Sequence, residues 1–304
     1  MAGFVPCSLL DRTANCTAMR RIREPELMDD PNADPRTHRS ALAALRRSNR
    51  WLGFDAALVK AVGAIAPFRG ASILEIGSGG GGLIEALAGA SKATEVEGRS
   101  PSRTVETTVA RGAPVFVRSG EAAKLGSAKW NTRARRPVDE QVRSQGRLRL
   151  IGMDRSRPAI ADARGHLAKT AIEGADGELS FVAGDALRLP FADRSVDVAV
   201  CSLLLHHFDP GQAVGLLREA ARVARHAVVI GDLNRSAVAW VLTWVVTRLM
   251  SRSRYFHVDG PRSVRAAYRP AEAGGLAEEA GLAGATVVPV FPFRWMMVWR
   301  REAP

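Results

Sequence analysis

The sequence predicts an α/β protein on a doubly wound, mostly parallel sheet, and three observations carry that expectation. A β-branched apolar run breaks into a glycine turn and then a helical repeat in "SILEIGSGGGGLIEALAGA". Four more apolar runs of strand length come after it, with helical stretches among them. Four of these five runs carry an acid at or near their ends: Glu75, Asp154, Asp185 and Asp232.

In chain order, residues 1–36 hold Pro6, Pro25, Pro31 and Pro35 among polar residues and predict a loosely ordered arm, with Met19 as an alternative start. "THRSALAALRRSNRWLGF", Thr37 to Phe54, repeats Ala41, Leu45, Ser48 and Leu52 at helical spacing and predicts a helix that packs against the sheet or forms a lid over it. Residues 37–300 then make one domain. After the first strand and helix come strands at Leu148–Asp154, Leu179–Gly184, Val196–Ser202 and "HAVVIGD", which ends at Asp232. Helices are expected over Pro158–Thr170 and Gln212–Val223. A cap segment, 234–269, leads to a helix over Ala271–Ala280 and to "TVVPVF" and "RWMMVWRR", an antiparallel pair at the sheet edge. Residues 91–147 do not fit this plan: a crossover between parallel strands needs one helix and short loops, and only "APVFV" looks strand-like. They read as a basic, low-order insertion without catalytic residues.

The formal charge of +12 invites a nucleic-acid reading, so its location matters. Between Ser91 and Arg149 there are thirteen Lys or Arg and six Asp or Glu, +7 of the total, which a solvated surface also explains. Cys7, Cys16 and Cys201 form no C-x-x-C pair and have no histidine at zinc spacing. Neither a disulfide framework nor a metal is expected, and a reducing compartment fits. "GFVPCSLL" lacks the basic flank and cleavage site of a secretory signal. The longest apolar run, "SAVAWVLTWVV", is shorter than the roughly 18 residues a bilayer span needs, so a cytoplasmic location is expected.

The glycine turn fits two cofactors. Gly77, Gly79 and Gly82 match the dinucleotide pattern G-x-G-x-x-G, whereas Glu75, Gly77, Gly79 and Gly81 match an acidic-x-G-x-G-x-G pattern. The strand-end acids decide between them, because ligands of such sheets lie across the carboxyl ends of the strands. An ionised Asp154 can accept both hydroxyls of a ribose diol. Asp185 suits an adenine amino group, with the Ala186 N–H donating to a ring nitrogen. Glu75 has no task at a pyrophosphate. The residues turn the reading toward S-adenosylmethionine.

Taken together, "LEIGSGGG", "IGMDRS", "FVAGDALRLPFADRSVDVAVCSLLLHHF" and "VVIGD", in this order, resemble the class I S-adenosylmethionine-dependent methyltransferases of the small-molecule, ubiquinone- and menaquinone-biosynthesis-like type. The resemblance covers about residues 70–290 and is interrupted by the insertion; Gly82 stands where the family often has a bulkier residue. The leader "IREPELMDDPNADPRTHRSALAALRRSN" is similar to that of bacterial methyltransferases beside polyketide-type lipid pathways. The resemblance implies a Rossmann-like fold, a transferase activity and a cofactor site of Glu75, Gly77, Ser78, Gly79, Gly81, Asp154, Arg155, Asp185, Ala186 and Ser202. It also places His206 and His207 at the acceptor pocket, as base or positioning groups.

The cap suggests the acceptor. Its helix is apolar almost all round, which is how a plain core helix reads. Alternatively Trp240, Trp244, Tyr255 and His257 wall a hydrophobic acceptor such as an alkylated aromatic, pyrone or quinone, methylated on oxygen or carbon. Arg248, Arg252 and Arg254 would then face lipid headgroups in a peripheral membrane contact. A nucleic-acid acceptor is not expected: strand four continues as "CSLLLHHF", with neither an Asn/Asp-Pro-Pro-aromatic loop nor a Pro-Cys nucleophile, and the insertion offers only Phe116 and Trp130 for stacking. A non-catalytic nucleoside-binding protein is the remaining alternative.

Overall fold

The computed structural model describes residues 19–30, 33–96, 147–169 and 177–302. Five strands run parallel: β1 (Ser72–Ile76), β2 (Leu148–Asp154), β3 (Gly177–Ala183), β4 (Val196–Ser202) and β5 (Ala224–Leu233). β6 (Thr286–Val290) and β7 (Arg294–Arg300) close one edge antiparallel, as expected, with β7 against β5. The spatial order is β3-β2-β1-β4-β5-β7-β6. The order reverses between β1 and β4, so the chain leaves these two strands in opposite directions and a crevice opens at their carboxyl ends.

The strands are apolar on both sides because helices cover both faces. Side chains alternate across the sheet, so Ile73, Val198 and Val229 enter one core while Leu74, Ala199 and Val228 enter the other. The first core is closed by Phe54 and Leu58 of α2 (Phe54–Gly63) and by Leu83 and Leu87 of α3 (Gly82–Val96). The second is closed by Leu216 and Leu217 of α5 (Pro210–Val223) and Leu276 of α8 (Pro270–Glu279). Between them, α4 (Arg157–Lys169) lies on β2 and β3 and adds Leu167 to the first core. Each such leucine contributes about 1.5–3 kcal/mol through burial.

Three expectations change. The helix expected over Thr37–Phe54 is α1 (Pro35–Trp51), and it ends because Gly53 takes a left-handed φ of 69° and starts α2, a break that the helical repeat does not reveal. Asp34 caps α1, its side chain accepting the Thr37 N–H at 2.7 Å. α3 continues to Val96, so the segment beginning at 91 starts as helix; the rest of the insertion, with Phe116 and Trp130, lies outside the described residues. Over residues 19–30 the leader is pinned rather than loose. Arg21 donates to the carbonyls of Ala266 at 2.6 Å and Phe208 at 2.8 Å, Arg23 pairs with Asp209 at 2.8 Å, and the Leu27 and Met28 N–H groups donate to Asp259. The cap resolves into α6 (Ala237–Met250) and α7 (Arg254–Ala266), packed on each other.

One acid ties three strands at their starts. Asp197 accepts from the Ser72 N–H and hydroxyl at 2.9 Å each and from Arg225 at 2.7 Å, with His226 at 3.3 Å. Burial alone would raise its pKa, but these hydrogen bonds outweigh it and hold the carboxyl below the usual range. A depressed acid stabilises the fold above its unfolded pKa of about 3.9 and loses that effect as pH falls. Asp197→Asn is expected to lower stability by about 1–3 kcal/mol at neutral pH in thermal unfolding, with the gap to the unmodified protein shrinking below about pH 4.

Candidate active site

At the crevice the structure has a cavity of about 960 Å³, near the top of the usual 300–1,000 Å³ range for ligand sites. That volume has room for a nucleoside and a second molecule. Its floor is the glycine turn after β1. The Gly77 and Ser78 N–H groups donate to the Met153 carbonyl at 2.8 and 2.9 Å, which fastens the turn to the end of β2. Gly77 has φ 75°, which strains any side chain, and a Cβ there would meet Leu204 Cδ2 at 2.7 Å and have to push that side chain aside. Gly79 also has a positive φ, 47°, and a Cβ there would only touch Leu42 Cδ2 at 4.0 Å. Gly81 does not border the cavity: a Cβ there would meet Ala163 at 3.1 Å, so it serves the close approach of α4.

The strand-end acids meet at this floor. Asp154 accepts from the Gly79 N–H at 2.8 Å through Oδ2 and from the Ser156 N–H at 2.7 Å through Oδ1. A carboxylate has about four acceptor sites, so capacity for a diol remains. Burial pushes its pKa up against these two N–H donors. Asp185, exposed, accepts from Leu187 N–H at 2.9 Å and borders the cavity with Ala186. Arg155 and Ser202 border it too. Glu75 is 3% exposed and its Oε2 has no partner. Burial, with Asp55 and Asp154 nearby, pushes its carboxyl well above the usual range.

Four of the six buried side-chain polar atoms without partners among the described residues border this one cavity: Glu75 Oε2, Ser78 Oγ, and Nε and Nη1 of Arg294. Buried polar atoms are nearly always paired, so a cluster of exceptions marks where a polar ligand belongs. Arg294, which the sequence did not single out, stands at the start of β7 with Nη2 on Asn49 Oδ1 at 2.9 Å and its guanidinium over Phe54. Burial lowers its pKa to about 10, and raises that of the neighbouring Asp55 to about 6.

Beyond β4, Leu203 takes a left-handed φ of 54° and turns the chain so that His206 and His207 reach the cavity. His206 Nδ1 lies 2.7 Å from Asp232 Oδ1 and its Nε2 3.4 Å from Glu26 Oε1. His207 Nδ1 lies 3.1 Å from Asp29 and its Nε2 3.8 Å from Glu26 Oε2. Burial disfavours a charged His206, yet Asp232 and Glu26 prevail and push its pKa up to about 10. Burial acts against Glu26 in the same way, but the histidines and Ser263 hold it at about 2. His206 is therefore not poised as a base at neutral pH. It is a held cation. Asp232 is its partner.

The expected acceptor wall sits on the wrong side of its helix. Trp240, Trp244, Tyr255 and His257 do not border the cavity; α6 turns Leu242, Thr243 and Val246 to it, and α7 turns Phe256 and Val264. Trp244 faces outward beneath the Arg248 guanidinium at 3.9 Å, and His257 Nε2 is 2.6 Å from the Ser251 carbonyl. Cys201 is buried core, its thiol pushed up by burial.

A family profile described as a methyltransferase domain matches residues 137–227. That stretch is similar to part of a methyltransferase domain. The match spans strands β2 to β4 and takes in Asp154, Asp185 and His206. No curated protein is a significant match to the sequence. Among solved structures, the domain is similar to PigF with SAH, at 14% identity and TM-score 0.50 over 90% of this chain and 61% of that one. It is also similar to a SAM-dependent methyltransferase from Aquifex aeolicus, at 15% identity and TM-score 0.49 over 88% and 98% of the two chains. A third is magnesium protoporphyrin IX methyltransferase from Synechocystis PCC 6803 with bound SAH, at 12% identity and TM-score 0.47 over 91% of each. The first of these likenesses agrees with the sheet order in giving a Rossmann-like methyltransferase fold.

The residues of this cavity fit S-adenosylmethionine. The unpartnered Glu75 oxygen suits the ammonium of the methionine tail, the unpartnered Arg294 donors suit its carboxylate, and Asp154 keeps acceptor capacity for the ribose. Asp154→Ala removes two charge-assisted hydrogen bonds of about 1.5–3 kcal/mol each and is expected to weaken cofactor binding by about 10²- to 10⁴-fold by calorimetry. Asp185→Ala, at an exposed carboxylate, is expected to weaken it less than tenfold. Unchanged affinity in both variants would move the cofactor elsewhere.

Proposed function

We propose that this chain transfers the methyl group of S-adenosylmethionine to an oxygen or carbon of a hydrophobic small molecule, an alkylated aromatic, pyrone or quinone precursor. The observation that carries the reading is the division of one cavity between unpaired polar atoms over the glycine turn and an apolar wall of Leu242, Val246, Phe256 and Val264. Methyl transfer is an in-line displacement, and the sulfonium supplies both the methyl and the leaving group. The protein's share is alignment and exclusion of water. Phe256 and Val264 are buried, so water is displaced once an apolar acceptor lies against them. A cation held between Glu26 and Asp232 favours the ionised form of a phenol or enol placed beside it.

The outer face of α6 supports a peripheral membrane contact in the cytoplasm. Val238 is 58% and Leu249 81% exposed, with Val241, Trp244 and Val245 beside them. Arg248, Arg252 and Arg254 flank this apolar strip. No described helix is long and apolar enough to cross a membrane. A helix with one face in the cavity and the other against lipid headgroups would let a greasy acceptor pass from bilayer to site.

Two measurements check this. Product mass spectrometry with methyl-labelled cofactor and a panel of alkylpyrones, alkylresorcinols and quinols is expected to find a labelled apolar product. Flotation with anionic liposomes is expected to carry the protein, and Val241→Asp with Leu249→Asp to lose flotation while keeping cofactor affinity. Turnover of polar acceptors alone, without flotation, would overturn the acceptor class.

A further inference from the structure

We propose that Glu26, His206 and His207 bind one divalent transition-metal ion, leaving its cavity side open to an oxygen of the acceptor. One carboxylate and two imidazoles each offer a ligand atom, and the three atoms lie within 4.8 Å of one another. Glu26 Oε1 is 3.4 Å from His206 Nε2 and Glu26 Oε2 is 3.8 Å from His207 Nε2. Donors bound at about 2.0–2.2 Å to a common ion stand roughly 3–3.5 Å apart, so the cluster, whose ligand atoms lie within 4.8 Å of one another, has to draw in by as much as roughly 1 Å between its most distant atoms.

The surroundings are those of metal ligands. Each histidine has its Nδ1 on a carboxylate, His206 on Asp232 and His207 on Asp29, which keeps a proton on Nδ1 and aims Nε2 inward; an ion binding there takes the place of the Nε2 proton of His206. The Ser263 hydroxyl donates to Glu26 Oε1 and orients the third ligand. A structural ion pair between Glu26 and His206 would need neither His207 nor the second carboxylate. Once the ion has displaced the His206 proton, Glu26, Asp29 and Asp232 sum to three negative charges, and among the described residues no Lys or Arg is ion-paired with any of them. A divalent ion offsets most of that charge.

Two imidazoles and one carboxylate with open positions suit Fe²⁺, Co²⁺ or Zn²⁺; Mg²⁺ and Ca²⁺ prefer all-oxygen sets. All three ligands border the cavity, so the open positions face the acceptor space. An enol or catechol oxygen there would be held by the ion and its O–H made more acidic, so that the proton leaves to solvent, whereas a keto oxygen would be held and polarised. This acceptor role rests on the methyl-transfer reading; the ion site does not.

The test uses the full chain, stripped with chelator, desalted and titrated with Co²⁺ while visible absorption and heat are recorded. One equivalent is expected to bind with a d–d absorption band and to be displaced by Zn²⁺. Glu26→Gln and His207→Ala, chosen because a buried His206 variant is more prone to misfold, should each weaken binding at least tenfold with far-ultraviolet circular dichroism unchanged. His166→Ala, outside the cluster, should bind Co²⁺ as the unmodified protein does. Absence of a saturable cobalt band, or unaltered affinity in both cluster variants, would overturn the site. Cofactor affinity measured on the same samples separates the two readings: cofactor binding without cobalt binding defeats only the metal site, and the reverse defeats only the methyl-transfer reading.

Discussion

A carboxyl group at the end of β1, 3% exposed and with one oxygen unpartnered, is the constraint around which the site is arranged. Burying a charge without a partner costs several kcal/mol, so in the free protein Glu75 is driven toward its neutral form. A ligand that brings an ammonium to it removes that penalty. The sheet makes the position possible: β1 is central, its neighbours are β2 and β4, and both faces of the strand are covered. Glu75 itself borders the cavity, beside the glycine turn that follows the strand.

The other elements close the cavity by charge rather than by apolar contact alone. Arg46 of α1 donates to the Gly80 carbonyl at 3.0 Å and to Asp162 at 2.6 Å, so one guanidinium joins helix, glycine turn and α4. Residues 19–30 are tied across the acceptor side through Arg21, Arg23 and Asp259, which carries Glu26 to the histidines. The methyl-transfer half and the acceptor half of the site thus depend on segments that lie outside the profile-matched stretch 137–227.

Local grammar makes much of this readable from sequence. Strand, glycine turn and strand-end acid occupy adjacent positions, so Glu75, Gly77, Asp154 and Asp185 can be assigned from a few residues each, and the structure brings them to one cavity. The edge pair is readable from alternation. The unreadable parts come from distance or symmetry. Glu26, Asp29, Asn49, Asp55 and Arg294 reach the site from far along the chain, and no local pattern marks them. α6 is apolar all round, so periodicity does not tell which face turns inward, and the expectation for Trp240 and Trp244 falls on the wrong one. Gly53 splits α1 from α2 through its φ of 69°, a backbone choice that a helical repeat running through it conceals.

The most direct test of the central claim is calorimetry of S-adenosylmethionine binding in buffers of different ionisation enthalpy near neutral pH. Glu75 is held toward its neutral form by burial and ionises when it meets the cofactor's ammonium, so binding should release protons and the apparent enthalpy should depend on the buffer. Glu75→Gln should bind at least tenfold more weakly and lose that part of the buffer dependence. Failure of the unmodified protein to bind, or a Glu75→Gln variant with the same affinity and proton release, would contradict the account.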